Sequence, residues 1–195
     1  MLNKIIKQVT DNIKESSRIK VAILSDEKFI KSISEIFLIT LEAYKNGNKT
    51  IFAGNGGSAA DSNHISAEFV GRFNIHNRKP LNSISLSNNT SLITAIGNDY
   101  GFDSIFSRQI EAYGEKGDIF FALSTSGKSK NILEAIRICN NKEIITVGLT
   151  GDNISMDSIC DYCIKVPSKE TARIQEIHIM IGHLLIDFIE KNLFK

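Results

Sequence analysis

The chain has 195 residues, 42% of them hydrophobic, with 23 Lys and Arg against 22 Asp and Glu. This length and composition predict one globular domain over residues 1–195, with a sizeable core. The near-neutral charge, without clustered basic residues, argues against a nucleic-acid partner, and no apolar run approaches the ~18 residues of a membrane span. The N-terminus lacks the apolar core of a signal peptide, so we expect a cytoplasmic protein.

Two helical patterns precede the first predicted strand. Apolar residues recur at helical spacing over residues 1–24, and more strongly over residues 29–44. Asn46-Gly47-Asn48 then has the composition of a turn. We therefore expect an N-terminal helical extension over residues 1–48, followed by the sheet core and a long C-terminal helix over residues 49–195.

Strands and helices alternate along the rest of the chain. Strands are predicted at residues 49–53, 81–86, 119–123, 143–149 and 162–166, and helices at residues 58–73, 90–96, 102–113, 132–138 and 171–193. The alternation predicts an α/β fold with a doubly wound, five-stranded parallel sheet in three layers. The final helix carries an apolar stripe for docking on the sheet, made of Ile174, Ile177, Ile181, Leu184, Leu185 and Phe188.

Two loops in this pattern are suited to bind an anion. The glycine loop, residues 54–58, follows the first strand, and the serine loop, residues 124–129, follows the third. Each leads into a helix, whose first backbone N–H groups are free to bind phosphate. If the strand order is 2-1-3-4-5, the two loops converge where the winding of the sheet reverses.

A dinucleotide site is the alternative interpretation of the glycine loop. Gly54, Gly56 and Ala59 match the pattern G-x-G-x-x-G/A. That fingerprint also needs an acidic residue after the second strand, where this chain has Ser85-Leu86-Ser87. We therefore expect no nucleotide cofactor.

Side chains able to bind metal or move protons occur on two helices. His64 and Glu68 are four residues apart and share a face, although such a pair is also common on solvated helices. Gln175 and His183 are separated by about 80° around the final helix, whereas His178 lies about 140° from His183 and is predicted to be structural. Two imidazoles, a carboxylate and an amide form a plausible zinc site, and Gln175 is open to either metal or substrate.

With these residues assembled, the chain resembles the sugar isomerase (SIS) domain superfamily, and within it the phosphoheptose isomerases. The resemblance covers nearly the full length and is carried by four blocks: Gly54-Asn55-Gly56-Gly57-Ser58-Ala59, Gly97-Asn98-Asp99-Tyr100-Gly101, Ser124-Thr125-Ser126-Gly127 and Arg173-Ile174-Gln175-Glu176. It implies a flavodoxin-like sheet, one zinc ion per subunit, and a homotetramer with sites at subunit interfaces.

The resemblance also implies roles for individual residues. The acid/base pair would be Glu68 and His183. Sugar contacts would come from Asn55, Gly56, Gly57, Glu68, Asn98, Asp99 and Gln175, phosphate contacts from Ser124, Thr125, Ser126 and Ser129, and zinc ligands from His64, Glu68, Gln175 and His183. Some members carry an acidic residue where this chain has Ala172, so a proton-transfer role at that position does not carry over.

The implied reaction converts sedoheptulose 7-phosphate to D-glycero-D-manno-heptose 7-phosphate through an enediol, for the heptose of surface polysaccharides. A carboxylate base and an imidazole acid suit this chemistry, with Glu68 as base and His183 as acid. Two alternatives share most of these residues: a non-catalytic SIS module that binds a sugar phosphate for regulation, and an isomerase of another phosphosugar. The presence of both Glu68 and His183 favours an isomerase.

Overall fold

A computed structural model describes residues 1–152 and 155–194 of the chain. Its helices are α1 (Leu2–Leu24), α2 (Glu27–Lys45), α3 (Gly57–Val70), α4 (Thr90–Tyr100), α5 (Ser107–Tyr113), α6 (Lys130–Asn141) and α7 (Thr171–Leu193). Its strands are β1 (Thr50–Gly54), β2 (Ser83–Ser85), β3 (Ile119–Leu123), β4 (Ile145–Thr150) and β5 (Tyr162–Lys165). Each helix in these ranges is too short or too polar to span a lipid bilayer.

The described strands form one parallel sheet in the order β2-β1-β3-β4-β5, which confirms the predicted order. Thr50 of β1 is in register with Ile119 of β3, which is in register with Ile145 of β4. The carboxyl ends of β1 and β3 are therefore neighbours at the point where the winding reverses, and the loops after them face one crevice.

Helices cover both faces of the sheet, which confirms the three-layer α/β class. Phe121 and Leu123 of β3 pack in one core cluster with buried side chains of α2, α3 and α7. Phe120 and Ala122 point to the other face and pack with α5 and α6. Because both faces are buried, the strand is apolar at every position rather than at alternate ones.

The segment around Gly97 is helical, although the helix predicted from the sequence ends at residue 96. Asn89 caps the start of α4 by accepting a hydrogen bond from the Leu92 amide, and the helix continues through Gly97 to Tyr100. Gly101 ends it with a φ of 88°, a value that favours glycine. Gly97 costs a helix only about 1 kcal/mol, so a single glycine did not stop it. Asn98 and Asp99 consequently lie on a helix.

Other boundaries also moved. The predicted helix over residues 102–113 is a 3-10 turn at Phe102–Ser104 followed by α5, and β2 is shorter than predicted. Helix α3 ends at Val70 instead of near Phe73. Its continuation is prevented because the amides of Phe73, Asn74 and Ile75 donate to the carboxylate of Glu190, on α7.

Helix α7 docks on the sheet largely through the predicted stripe. Ile174, Ile177, Ile181 and Leu185 are buried, and Phe188 packs against the same core. Leu184 is 48% exposed, so its prediction as a docking residue was wrong. It lies beside His183 and is only partly covered by the described residues.

Candidate active site

The site is built where α3 and α7 lie side by side. The two helices run in the same direction, since Gly57 contacts Gln175 near their starts and His64 contacts His183 farther along. Gly182 allows this close approach: a methyl group built on it would come within 2.5 Å of Ile65 Cδ1. The seam therefore presents side chains of both helices to one volume.

His64, Glu68 and His183 converge on this seam. The Nε2 atoms of His64 and His183 are 3.0 Å apart, and His64 Nε2 is 3.4 Å from Glu68 Oε1. One ligand atom from each of the three residues lies within 4.8 Å of the others. The carboxylate of an early helix and the imidazole of the last helix thus meet within a single protomer.

This cluster fits a small metal ion. Tetrahedral ligands that are about 2.0–2.1 Å from zinc are about 3.3 Å from one another, close to the two observed separations. Two imidazole nitrogens and a carboxylate oxygen are a donor set that zinc accepts. The His64 side chain is 51% exposed, so the cluster opens to solvent on one side.

Gln175 occupies the opposite end of the seam. Its amide lies against Gly57, where a methyl group on the glycine would collide with it. Eight residues of α7, about 12 Å of helix, separate Gln175 from His183. In this conformation the amide faces the glycine loop, and its assignment to metal, substrate or both stays a prediction.

The glycine loop has the geometry of an anion cradle. Gly56 has a φ of 55° and precedes the first turn of α3. Gly54 has no room for a side chain, because a methyl group there would lie 2.5 Å from the Ser58 carbonyl oxygen. Asn55 exchanges two hydrogen bonds of 2.9 Å with Asn131 at the start of α6. This pair joins the glycine loop to the helix after the serine loop, and the two loops converge as predicted.

The serine loop leaves the start of α6 available to an anion. Ser124 and Ser129 hydroxyls are 3.0 Å apart, Ser126 accepts from the Lys128 amide, and Gly127 has a φ of 65°. Ser129 is the N-cap of α6 and makes no side-chain capping bond. A cavity of about 300 Å³ adjoins the loop and is lined by Thr125, Ser126, Lys128, Asp152, Ser168, Lys169 and Ile174.

Among the described residues, the hydrogen bond of Asn98 and Asp99 is made with each other and not with the two loops. Both are exposed near the end of α4, and the Asn98 amide donates to the Asp99 carboxylate at 2.7 Å. Their role in binding sugar therefore stays a prediction.

Two residues near the site, Phe73 and Asp61, were not predicted from the sequence. The Phe73 ring stacks on the His183 imidazole, with ring centres 5.6 Å apart and planes inclined by 18°. Asp61 lies one turn before His64, and burial raises the pKa of its carboxyl, although nearby His64 opposes the shift. The spacing of Asp61 from His64 was a usable signal, whereas that of Phe73 from His183 was not.

His178 is fully buried, as a structural histidine would be. Burial lowers its pKa to about 4, so the imidazole is neutral at neutral pH. His178 is therefore a buried packing residue of α7.

Known proteins are similar to this chain over most of its length. A family model described as SIS domain matches residues 21–151. Phosphoheptose isomerase 2 of Campylobacter jejuni is 52% identical over 194 residues, which cover 99% of this chain and 94% of that protein. The phosphoheptose isomerase of Aneurinibacillus thermoaerophilus is 50% identical over 188 residues, covering 96% of this chain and 94% of that protein.

A solved structure shares the fold as well. The phosphoheptose isomerase of Neisseria gonorrhoeae is 35% identical and superposes with a TM-score of 0.88, covering 96% of this chain and 99% of that one. Sequence identity and fold thus agree over nearly the whole length. The chain therefore belongs to the SIS domain family and, within that family, to the phosphoheptose isomerases.

Proposed function

We propose that this protein is an aldose-ketose isomerase that converts sedoheptulose 7-phosphate to D-glycero-D-manno-heptose 7-phosphate, for the heptose of surface polysaccharides. The observation that carries the proposal is the meeting of Glu68 with His183 and His64, beside two loops suited to phosphate. Membership of the phosphoheptose isomerases supports the substrate and the reaction class.

The reaction needs a base at carbon and a proton carrier at oxygen. Glu68 removes a proton from C1 of the open-chain ketose while O2 gains one, which gives a cis-enediol. The same carboxylic acid returns its proton to C2 while O1 loses one, which gives the aldose. His183 donates the proton that O2 gains and then accepts the proton that O1 loses. Both side chains therefore end the reaction in the protonation state in which they began it.

Zinc is the metal that the donor set favours, one ion per subunit, held by His64, Glu68 and His183 with Gln175 as a candidate fourth ligand. Bound zinc would stabilise negative charge on the sugar oxygens. Glu68 Oε1 faces His64, so the second carboxylate oxygen is left to accept the proton from C1.

Substrate binding is assigned to the two loops. The phosphate is held by Ser124, Thr125, Ser126 and Ser129 with the uncapped start of α6. The sugar is held by Asn55, Gly56 and Gly57 with Gln175. Asn98 and Asp99 are further candidates to bind the sugar.

We also propose a homotetramer whose sites lie at subunit interfaces. An exposed apolar stripe on α1 and the exposed Leu184 beside His183 support an interface near the site. A charged sugar phosphate does not cross a bilayer, which supports a cytoplasmic location. The interpretation of residues 1–195 as a single domain stays a prediction.

Incubation of the purified protein with sedoheptulose 7-phosphate tests the function directly. We expect formation of the aldose, loss of activity after treatment with a chelator, and its return when zinc is added. Fructose 6-phosphate serves as the competing substrate. A higher kcat/KM for the hexulose phosphate would contradict the heptose assignment, and tight binding without turnover would favour a regulatory module.

A further inference from the structure

A buried ion pair beneath the candidate site joins the segment after α3 to α7. The side chains of Arg78 and Glu190 are 0% and 1% exposed, and Arg78 Nε donates to Glu190 Oε1. Removing two charges from water is costly, and such a pair is favourable only when its remaining polar atoms are also satisfied. The other hydrogen bonds of Glu190 therefore show which parts of the chain this ion pair holds in place.

The carboxylate of Glu190 receives three successive backbone amides. Phe73 N donates to Oε1 at 2.8 Å, and Asn74 N and Ile75 N donate to Oε2 at 2.8 and 3.0 Å. Burial would raise the pKa of Glu190, but the hydrogen bonds from Arg78 and these amides outweigh it and lower the pKa below its ordinary value. An ionised carboxylate thus holds the whole 73–75 segment.

The partners of Glu190 contact both residues that the proposed function uses, His183 through Phe73 and Glu68 through Arg78. The Phe73 ring lies on the face of the His183 imidazole. Arg78 Nη2 donates to the backbone oxygen of Glu68 at 2.6 Å. Glu190 itself is on α7, two turns beyond His183, so one carboxylate connects the helix of His183 to the end of the helix of Glu68.

We propose that Glu190 is a positioning residue of the active site. Through the amides of residues 73–75 it fixes the Phe73 ring against His183, which holds the imidazole plane with Nε2 towards His64. Through Arg78 it fixes the last turn of α3 at Glu68. The expected effect on catalysis rests on the proposed function, whereas the expected orientation of the His183 ring does not.

Two variants and a matched control test the inference. Glu190→Gln keeps the size of the side chain but replaces two charged acceptor oxygens with one neutral one. Phe73→Leu removes the ring and leaves the buried charges intact, so it remains informative should Glu190→Gln fold poorly.

Asp118→Asn is the control. Asp118 is a fully buried carboxylate that pairs with Lys49 at 2.6 Å and accepts from the amides of Lys49 and Glu115. It precedes β3 at the opposite end of the sheet from the site. Its substitution removes a comparable buried charge without touching α7 or residues 73–75.

Three measurements separate positioning from general stability. In metal-free protein, the NMR signal of the His183 Cε1 proton, assigned with His183→Gln, reports the ring current of Phe73. Competition with a chelator gives the zinc affinity, and steady-state kinetics with sedoheptulose 7-phosphate give kcat and KM separately.

We expect Glu190→Gln and Phe73→Leu to lose the ring-current shift, to bind zinc about tenfold more weakly, and to lower kcat about tenfold with KM within twofold. Asp118→Asn should lower the melting temperature and leave all three measurements unchanged. The double variant Glu190→Gln/Phe73→Leu should have a kcat no lower than the worse single variant, because Glu190→Gln already releases the ring that Phe73→Leu removes.

The inference is overturned if Glu190→Gln keeps the His183 signal and the zinc affinity, or if Asp118→Asn loses as much of both. A different result identifies failure of the proposed function. If wild-type protein turns over no sedoheptulose 7-phosphate while Glu190→Gln still alters the His183 signal and zinc binding, the positioning role holds and the isomerase assignment is wrong.

Discussion

At the residue scale, the site depends on three side chains that are unremarkable taken singly. An i,i+4 His/Glu pair on a helix stabilises it by only a few tenths of a kcal/mol when solvated. Here the pair meets a second imidazole, with the two Nε2 atoms 3.0 Å apart. Two imidazoles and a carboxylate whose ligand atoms all lie within 4.8 Å of one another are arranged to bind a cation or to exchange a proton.

Glu68→Gln tests the proposed base. The amide cannot accept the C1 proton, so we expect the isomerisation rate to fall by a factor of about 10²–10⁴. Binding of sedoheptulose 7-phosphate, measured by calorimetry, should persist because the two loops are intact. Metal content is measured in the same samples. Retained turnover in a metal-loaded variant would defeat the assignment of Glu68.

His178 predicts a pH dependence of stability. Burial lowers its pKa from 6.5 to about 4. Below pH 6.5 the unfolded chain takes up a proton that the folded chain refuses, so the free energy of unfolding should decrease as pH falls from about 6.5 to about 4. The full loss is about 3 kcal/mol, and above pH 6.5 this contribution is constant.

Urea unfolding at pH 5, 6 and 7, at one protein concentration, measures this dependence. His178→Leu should flatten it, whereas His76→Leu, at an exposed histidine, should keep the wild-type slope. Equal slopes for wild type and His178→Leu would show that His178 does not carry the dependence.

At the element scale, the spacing between α3 and α7 decides whether the cluster exists. Side chains on two helices meet only if the axes are close, and a glycine at the contact permits that. Gly182, the residue before His183, lies against Ile65, the residue after His64. The same glycine thus sets the separation of the two imidazoles.

Gly182→Ala should separate the two helices. Its methyl group would lie 2.5 Å from Ile65 Cδ1, and overpacking of this kind costs about 1–3 kcal/mol. We expect a lower melting temperature and weaker zinc binding, with partial recovery of both in Gly182→Ala/Ile65→Ala.

Gly97→Ala is the matched control for stability. A methyl group there would be 3.8 Å from Ile105, an ordinary contact, so helix propensity should make this variant neutral or up to about 1 kcal/mol more stable. If both substitutions had the same effect, crowding at the seam would not be its cause.

At the scale of the whole molecule, much of the apolar face of α1 is not packed against the described residues of the chain. Ile19 and Ile23 are buried near its end, whereas a stripe of apolar side chains over its first four turns is exposed, namely Leu2, Ile6, Val9 and Ile13. A helix in water is stabilised mainly by packing of its apolar face. In the proposed tetramer, a second copy of the chain would cover this exposed stripe of α1.

Ile6→Glu/Val9→Glu should weaken the assembly. Each side chain that is buried at an interface contributes about 1.5–3 kcal/mol, so we expect a smaller species by light scattering after size exclusion. Activity should fall with the assembly if neighbouring subunits complete the site. Lys4→Gln, on the opposite face of α1, should leave the mass unchanged. An unaltered mass for the double variant would place the interface elsewhere.

Local pattern was sufficient to predict the α/β class and the number of described strands, whereas the strand order followed from the resemblance to a family with a flavodoxin-like sheet. Strand and helix periodicities are properties of short stretches, and the handedness of crossovers leaves few ways to arrange alternating elements. The glycine and serine loops, and the pair His64 and Glu68, were identifiable for the same reason. Their residue types and spacings are written within a few positions of one another.

Contacts between distant residues required the folded chain. Glu190 lies 117 positions from the Phe73 amide that it holds, and Asn131 lies 76 positions from Asn55. No periodicity links such positions, because each contact depends on how two helices rotate and how closely they pack. Tertiary packing therefore decided the end of α3, the position of the Phe73 ring over His183 and the junction of the two loops. Local sequence propensity carries no information about such contacts.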